Sequence, residues 1–187
     1  FLLLFVGSIN NIQLNKLEFN KIEKISISGL EVKENRILLK NLNKLSLDNI
    51  FFISAQEIGN IIEKNSLVEN YSIFKKYPSS LKIQIKKTNL LARINKNDKI
   101  FIVGSNGKLI QNKKLDKYLP YIFGKPNIEN FLQFKSIIDK SKISYDKIKN
   151  LYYFPSNRWD LQLKNSIVIK LSKNNLKKKL DHAFVFI

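Results

Sequence analysis

The side chains that most often carry out catalysis are few and scattered in this chain. His182 is the only histidine, and it follows a lysine-rich stretch and lies next to Asp181. General acid–base catalysis needs groups that are held together, yet the candidate acids stand singly in predicted turns and on predicted helix faces. These acids are Asp98, Asp116, Asp139, Asp146 and Asp160. The sequence therefore predicts a surface histidine, isolated carboxylates and no enzyme.

The sequence also gives no support for a metal-binding site or a phosphate-binding site. The chain has no cysteine and one histidine, which excludes disulfides and thiolate ligands and leaves zinc without its usual donors. Residues 104–107 (GSNG) hint at a phosphate loop, but they lack the Gly-Lys-Ser/Thr ending and join two predicted strands. A hairpin turn is the better interpretation. We expect no metal, no cofactor and no small-molecule substrate.

The chain is strongly basic, with 33 Lys+Arg against 15 Asp+Glu and a net charge of +18. Such an excess permits binding to nucleic acid or to anionic lipid. The lysines, however, are spread over every segment and do not form one stripe, and asparagine and isoleucine are abundant throughout. A compositional origin is therefore favoured over a nucleic-acid footprint, and we expect no nucleic-acid partner.

Aromatic residues form one local group near Arg158. Trp159 follows it directly, and residues 152–154 (YYF) precede it. This group could be a binding platform, but aromatic residues at such spacing in strands more often fill a core. The basic run at residues 173–179 contains no aromatic residue for stacking on bases.

The first six residues (FLLLFV) are wholly apolar. They are too few to span a bilayer, which needs roughly 20 apolar residues as a helix. We expect them to be the end of a membrane anchor, with residues 7–20 as a connector. A signal-peptide core and a buried strand remain as alternatives.

Hydrophobic periodicity then predicts two different halves. In the first half, a short strand at 23–29 precedes amphipathic helices at 32–45 and after the capping pattern of Ser54 and Glu57. Two strands follow within residues 68–87, joined at Pro78, and alternate apolar and polar side chains. In the second half, strands and turns dominate. Strands are predicted at 90–94, 99–103, 109–110, 149–154, 158–163 and 166–171. A loop is predicted at 119–124, a helix at 128–143 and a basic helix at 174–186.

In this order, the segments resemble the FtsQ/DivIB family of bacterial cell-division proteins. The strand–helix–helix–strand–strand order is similar to a POTRA (polypeptide-transport-associated) domain, and residues 77–83 (YPSSLKI) are similar to the family's P-x-x-L-x-I-x-V hairpin. Residues 90–107, 119–124 and 158–171 are similar to three later family passages, in the family's order. The chain departs from the pattern at residues 86–89, at Gly104 and at Ser172.

The resemblance implies an α+β fold in three parts. Residues 1–20 would be the end of the anchor with its connector. Residues 21–88 would form a POTRA-like β-α-α-β-β domain, and residues 89–187 a β-rich mixed domain with two helices. In the family a final strand follows the last helix and binds the partner FtsB, and we expect it beyond Ile187.

The implied function is a non-catalytic scaffold, a single-pass protein of the inner membrane with this region in the periplasm. Its partners would be the FtsB–FtsL pair and other septal proteins, bound by strand addition at sheet edges. The candidate partner-binding residues are Val68, Tyr71 and Ile73 on one strand, and Arg158 and Trp159 on a second surface, with a core role as the alternative for Trp159. The remaining alternatives are a POTRA-type factor of outer-membrane protein assembly or secretion, and a basic protein that binds nucleic acid or lipid surfaces.

Overall fold

The fold is taken from a computed structural model of the chain. It describes residues 22–45, 50–51, 53–111, 118–172 and 174–186. The chain divides into two compact units, with the boundary between Lys87 and Thr88. Each unit is an α+β structure, as the sequence predicts. The expected anchor at residues 1–20 lies outside the described residues.

The first unit is a three-stranded sheet with two helices packed on one face. Its elements in chain order are β1 (Lys24–Ser28), α1 (Val32–Leu42), α2 (Ala55–Glu63), β2 (Val68–Lys76) and β3 (Ser80–Lys87). The central strand β3 pairs with β1 in parallel and with β2 in antiparallel orientation, so β1 and β2 form the two edges. The predicted strand–helix–helix–strand–strand order is confirmed.

The core of the first unit lies between the helices and one face of the sheet. Leu38 and Leu42 of α1 and Ile58 and Ile62 of α2 are buried against alternate residues of β3. Alternation in β3 arises because successive side chains of a strand point to opposite faces. At the start of α2, the Ser54 hydroxyl accepts the backbone N–H of Glu57 at 3.3 Å, which is the predicted cap.

The second unit is a seven-stranded mixed sheet with two helices. Its elements are β4 (Leu90–Lys96), β5 (Lys99–Gly104), β6 (Leu109–Ile110), β7 (Tyr121–Phe123), α3 (Ile128–Asp139), a 3₁₀ turn (Tyr145–Lys147), β8 (Ile148–Tyr153), β9 (Trp159–Leu163), β10 (Val168–Lys170), α4 (Leu176–Ala183) and a 3₁₀ turn (Phe184–Phe186). The strands are ordered β10-β9-β8-β7-β4-β5-β6. Its core joins α3 and α4 to one face of the sheet, with Phe131, Phe134 and Leu180 among its buried residues.

The sequence-based prediction is wrong in one place in this sheet. Residues 119–124 were expected to form a loop, but β7 lies there and pairs in parallel with both β4 and β8. A three-residue strand is too short to show periodicity, and its pairing is entirely non-local. Pro120 and Gly124 flank the strand, and Gly124 has a φ of +94°. These two residues, which favour the prediction of a loop, therefore mark the ends of a strand.

The last helix is also shorter than predicted. It ends at Ala183 and is followed by a 3₁₀ turn, whereas helix was expected through residue 186. None of the helices in the described ranges is both long enough and apolar enough to cross a membrane.

Candidate functional site

The candidate surface in the first unit is the outer edge of β2. Its inner edge pairs with β3 from Lys76 back to Val68, with one irregularity between Val68 and Asn70. Within the described ranges, no strand pairs with the outer edge. An edge strand presents backbone N–H and C=O groups in a row, which makes it a template for another strand.

The three residues predicted on β2 all turn their side chains toward the helices. Val68 is buried in the core, and Tyr71 and Ile73 pack against it as half-buried residues. They therefore hold the strand in place, and their side chains lie on the face of the sheet that carries the helices.

Tyr71 attaches β2 to α2 through its hydroxyl. The hydroxyl donates to Oε1 of Glu63 at 2.9 Å, at the end of α2. This bond raises the pKa of Tyr71 above its ordinary value, and burial and the negative charge of Glu63 add to the rise. Gly59 lies under the same hydroxyl, and a Cβ there would collide with it. A small residue is thus required at this point of the helix.

The opposite face of β2 is the exposed one, and the sequence reasoning passed it over. Phe74 is 45% exposed, and the exposed Ser72 lies two residues before it on the same face. The alternation of residues 70–76, beyond the irregularity at the start of the strand, contained this information, because the neighbour of a core-facing residue faces outward. Phe74 is therefore an exposed apolar side chain on the outer face of this strand.

One hydrogen bond reveals which backbone groups of β2 point outward. The N–H of Tyr71 donates to the side-chain oxygen of Asn70 at 2.7 Å and is thus not part of the ladder to β3. In an antiparallel pair, successive residues point their backbone groups alternately toward and away from the partner strand. Ile73 and Lys75 continue the outward series along the regular part of the pairing.

The second candidate surface surrounds Arg158 at the start of β9. Its guanidinium lies 4.3 Å over the ring of Phe154 and donates to Oδ2 of Asp160 at 3.2 Å. Asp160 is only 4% exposed, and its Oδ1 accepts the N–H of the buried Leu171 at 3.1 Å. The carboxylate therefore fixes the corner where the chain leaves β10, and β10 is the last strand of the sheet in the described ranges.

Trp159 lies in the core of the second unit. It is 4% exposed, and its ring stacks on Phe134 at 4.7 Å and meets Tyr153 at 4.8 Å. This placement agrees with the alternative of a core anchor and does not provide a binding surface. Asp160, which the sequence reasoning treated as one more isolated acid, is instead the buried centre of the corner. Its partner Leu171 directly follows β10, eleven residues further along the chain, so no local pattern could indicate it.

The residues first considered for catalysis remain apart in the structure. His182 is exposed on α4, and its ring lies 5.4 Å from that of Phe186. Asp139 pairs with Lys135 on α3, and Asp98 lies in the turn between β4 and β5. Asp116 lies outside the described residues. In the part of the chain that the structure describes, no three His, Cys, Asp or Glu residues are grouped to hold a metal ion.

Comparison with known proteins gives two family matches that together follow the two units. Residues 20–87 match the model described as "POTRA domain, FtsQ-type". Residues 92–185 match the model described as "Cell division protein FtsQ/DivIB, C-terminal".

Individual relatives agree with these matches. A protein named cell division protein FtsQ from Rickettsia bellii is 23% identical, over 87% of this chain and 61% of its own length. Cell division protein DivIB from Clostridium tetani is 28% identical, over 85% of this chain and 68% of its own length. A solved extracytoplasmic domain of DivIB from Geobacillus stearothermophilus is similar at a TM-score of 0.40 and 13% identity, covering 52% of this chain and 88% of that domain. The chain thus spans about two thirds or less of these two curated relatives.

Proposed function

Since the chain belongs to the FtsQ/DivIB family of bacterial cell-division proteins, we propose that it is a non-catalytic scaffold of the division complex. It would be anchored in the inner membrane through the segment that contains residues 1–6, with both units in the periplasm. Its partners would be other division proteins, and the family resemblance implies the FtsB–FtsL pair. The FtsQ-type character of residues 20–87 supports division over outer-membrane assembly or secretion.

The observation that carries this proposal is the outer edge of β2. Residues 71, 73 and 75 direct their backbone groups outward, while Tyr71 and Ile73 pack their side chains against the helices. A strand that is fixed on its inner side loses little freedom when a second strand pairs with it. Backbone hydrogen bonds would supply affinity, and Ser72 and Phe74 would contact alternate side chains of the partner.

We assign the predicted residues different roles at the two candidate surfaces. Tyr71 and Ile73 would receive the partner strand through their backbone groups. Val68 would fix the beginning of the strand from the core. Arg158 would contribute to a second surface at the corner of the larger sheet, where its guanidinium is half-exposed, and Trp159 would support that corner from below.

The test is capture of partners from membranes of the source cell by the full chain and two variants. Lys75→Pro removes an outward N–H that an added strand would use, and an edge strand tolerates proline at such a position. Lys75→Ala is the matched control, because it loses the same side chain and keeps the N–H. We expect Lys75→Ala to capture division proteins and Lys75→Pro to lose them.

A further variant is needed because loss of capture by Lys75→Pro alone could result from a folding defect. Phe74→Glu places a charge on the exposed face without touching the core, and it should also lose capture. Folding of each variant is checked by far-UV circular dichroism. Equal capture by Lys75→Pro, Phe74→Glu and Lys75→Ala would refute docking at β2, and capture of no septal protein by the unaltered chain would refute the scaffold itself.

A further inference from the structure

Two exposed aromatic rings stack on each other at one end of the first unit. Phe51 and Tyr77 are 51% and 58% exposed, with ring centroids 5.0 Å apart and planes inclined by 28°. Tyr77 lies in the turn between β2 and β3, and Phe74, at the end of β2, is also exposed. Single exposed apolar residues are ordinary on protein surfaces, but several large ones at one end indicate a surface that meets something.

This is the end at which the chain enters the unit. The N–H of Glu23, just before β1, donates to the carbonyl of Ser79 at 2.9 Å, and Lys24 lies opposite Ser80. The β2–β3 turn is therefore adjacent to the first described residues. The apolar residues 1–6 stand upstream of this point in the chain. If residues 1–6 belong to a membrane anchor, this aromatic end is the part of the first unit that lies closest to the anchor along the chain.

Three lysines lie at the same end of the unit as the aromatic pair. Lys24 and Lys76 are exposed, and the ammonium group of Lys75 donates to the backbone carbonyl of Phe51 at 3.2 Å. The acidic Glu23 also lies at this end, and its carboxylate accepts the hydroxyl of Ser79 at 3.2 Å. The end of the unit therefore presents aromatic rings with an excess of positive charge.

We propose that this aromatic and basic end docks on an anionic lipid surface, an inference that rests on the membrane anchoring of the proposed function. Aromatic rings prefer the boundary between head groups and acyl chains, and lysines are attracted to anionic head groups. A protein partner fits less well, because lysine is depleted at protein–protein interfaces. The contact would hold the first unit at a fixed orientation to the membrane.

The experiment uses a fluorescent label at one engineered cysteine, which is unique because the chain contains none. Lys76→Cys places the label next to the aromatic pair. Lys33→Cys is the matched control, since it also removes one exposed lysine, at the start of α1. Each full-length labelled chain is reconstituted in vesicles of phosphatidylcholine with a minority of phosphatidylglycerol, with and without a lipid that carries a nitroxide quencher on its head group.

We expect several-fold stronger quenching at position 76 than at position 33, and a loss of this difference without phosphatidylglycerol or at high salt. Phe51→Ala together with Tyr77→Ala in the chain labelled at 76 should reduce quenching to the level of position 33. Val32→Ala, which removes another exposed apolar side chain, should leave quenching unchanged.

Flotation of the same vesicles separates this inference from the proposed anchoring. A chain that floats with the vesicles but shows equal quenching at both positions keeps the anchor and overturns the docking surface. A chain that does not float contradicts the anchor. Excess vesicles are then added to the free chain, and absence of quenching at position 76 overturns the docking surface as well. If quenching at position 76 is unchanged after Phe51→Ala and Tyr77→Ala, the chain contacts the membrane through another surface, and the proposal is refuted.

Discussion

The hydroxyl of Tyr71 occupies the space into which a side chain at Gly59 would grow: among the neighbours of a Cβ built at Gly59, the nearest atom is that hydroxyl oxygen. The same hydroxyl donates to Glu63 one turn further along α2. Gly59 and Tyr71 thus set the distance between α2 and the edge strand. The position of the proposed docking edge depends on this contact.

We expect the cost of Gly59→Ala to depend on the residue at position 71. In the unaltered chain the added methyl displaces the Tyr71 hydroxyl, and the first unit should lose about 1 kcal/mol of unfolding free energy or more. In a Tyr71→Phe background the oxygen is gone and ring carbon Cζ, 3.3 Å from the added Cβ, is the nearest atom, so the same methyl should cost clearly less. Urea unfolding followed by circular dichroism measures both. Equal effects in the two backgrounds would contradict the contact.

Tyr71→Phe alone should cost about 0.5–1.5 kcal/mol at neutral pH, because it removes the bond to Glu63. The folded chain raises the pKa of Tyr71, so its contribution to stability is complete below the ordinary phenol pKa of about 10 and is lost as the pH rises through and beyond that value. The stability difference between the unaltered chain and Tyr71→Phe should therefore shrink above about pH 10. Urea titrations at neutral and alkaline pH test this, and a difference that grows with pH would contradict it.

The strand and helix order could be predicted from sequence because it depends on local periodicity. The alternation in β2 and β3 and the cap at Ser54 are properties of neighbouring residues. The short strand β7 was missed because only its pairing with β4 and β8 makes it a strand. Its local sequence, between Pro120 and Gly124, resembles a loop.

The candidate site was predictable only in part, for the same reason. The family resemblance indicates β2 as an edge, but the three residues predicted on it, Val68, Tyr71 and Ile73, face the core. The alternation along β2 indicates that Phe74 faces outward, and that residue is absent from the prediction. The role of Asp160 was not readable at all, because the N–H that it accepts belongs to Leu171 on the far side of a hairpin.

Asp160→Ala should destabilise the second unit by about 1–3 kcal/mol, because the buried N–H of Leu171 loses its acceptor. Arg158→Ala should cost no more than about 1 kcal/mol, since that guanidinium is half-exposed and its pairing is screened by solvent. Urea unfolding followed by fluorescence measures both, because Trp159 is the only tryptophan and reports on this unit. Because Asp160→Ala removes both the pairing and the acceptor, a larger cost for Arg158→Ala would contradict the role of the acceptor and would indicate the contact of Arg158 with Phe154 instead.

Trp159→Ala should cost about 3–5 kcal/mol, because it empties a large core position between Phe134 and Tyr153. Trp159→Phe keeps an aromatic ring there and should cost clearly less. Circular dichroism follows both transitions, since the tryptophan signal is removed. If partner capture is lost in Trp159→Ala and kept in Trp159→Phe, the residue acts through the fold. Loss of capture by a stable Trp159→Phe chain would instead indicate a direct contact.

Asn70→Ala should tighten binding of a partner strand at β2. The Asn70 side chain occupies the outward N–H of Tyr71 at 2.7 Å, so a strand that pairs with this edge has to displace it. Removing an intramolecular hydrogen bond worth about 0.5–1.5 kcal/mol should lower the dissociation constant by roughly 2- to 10-fold. Calorimetric titration with the purified division protein obtained by capture measures the change. Ser28→Ala, which removes an exposed hydroxyl from β1, is the control and should leave binding at β2 unchanged. Weaker binding by Asn70→Ala would mean that the asparagine itself contacts the partner and that the added strand does not use the N–H of Tyr71.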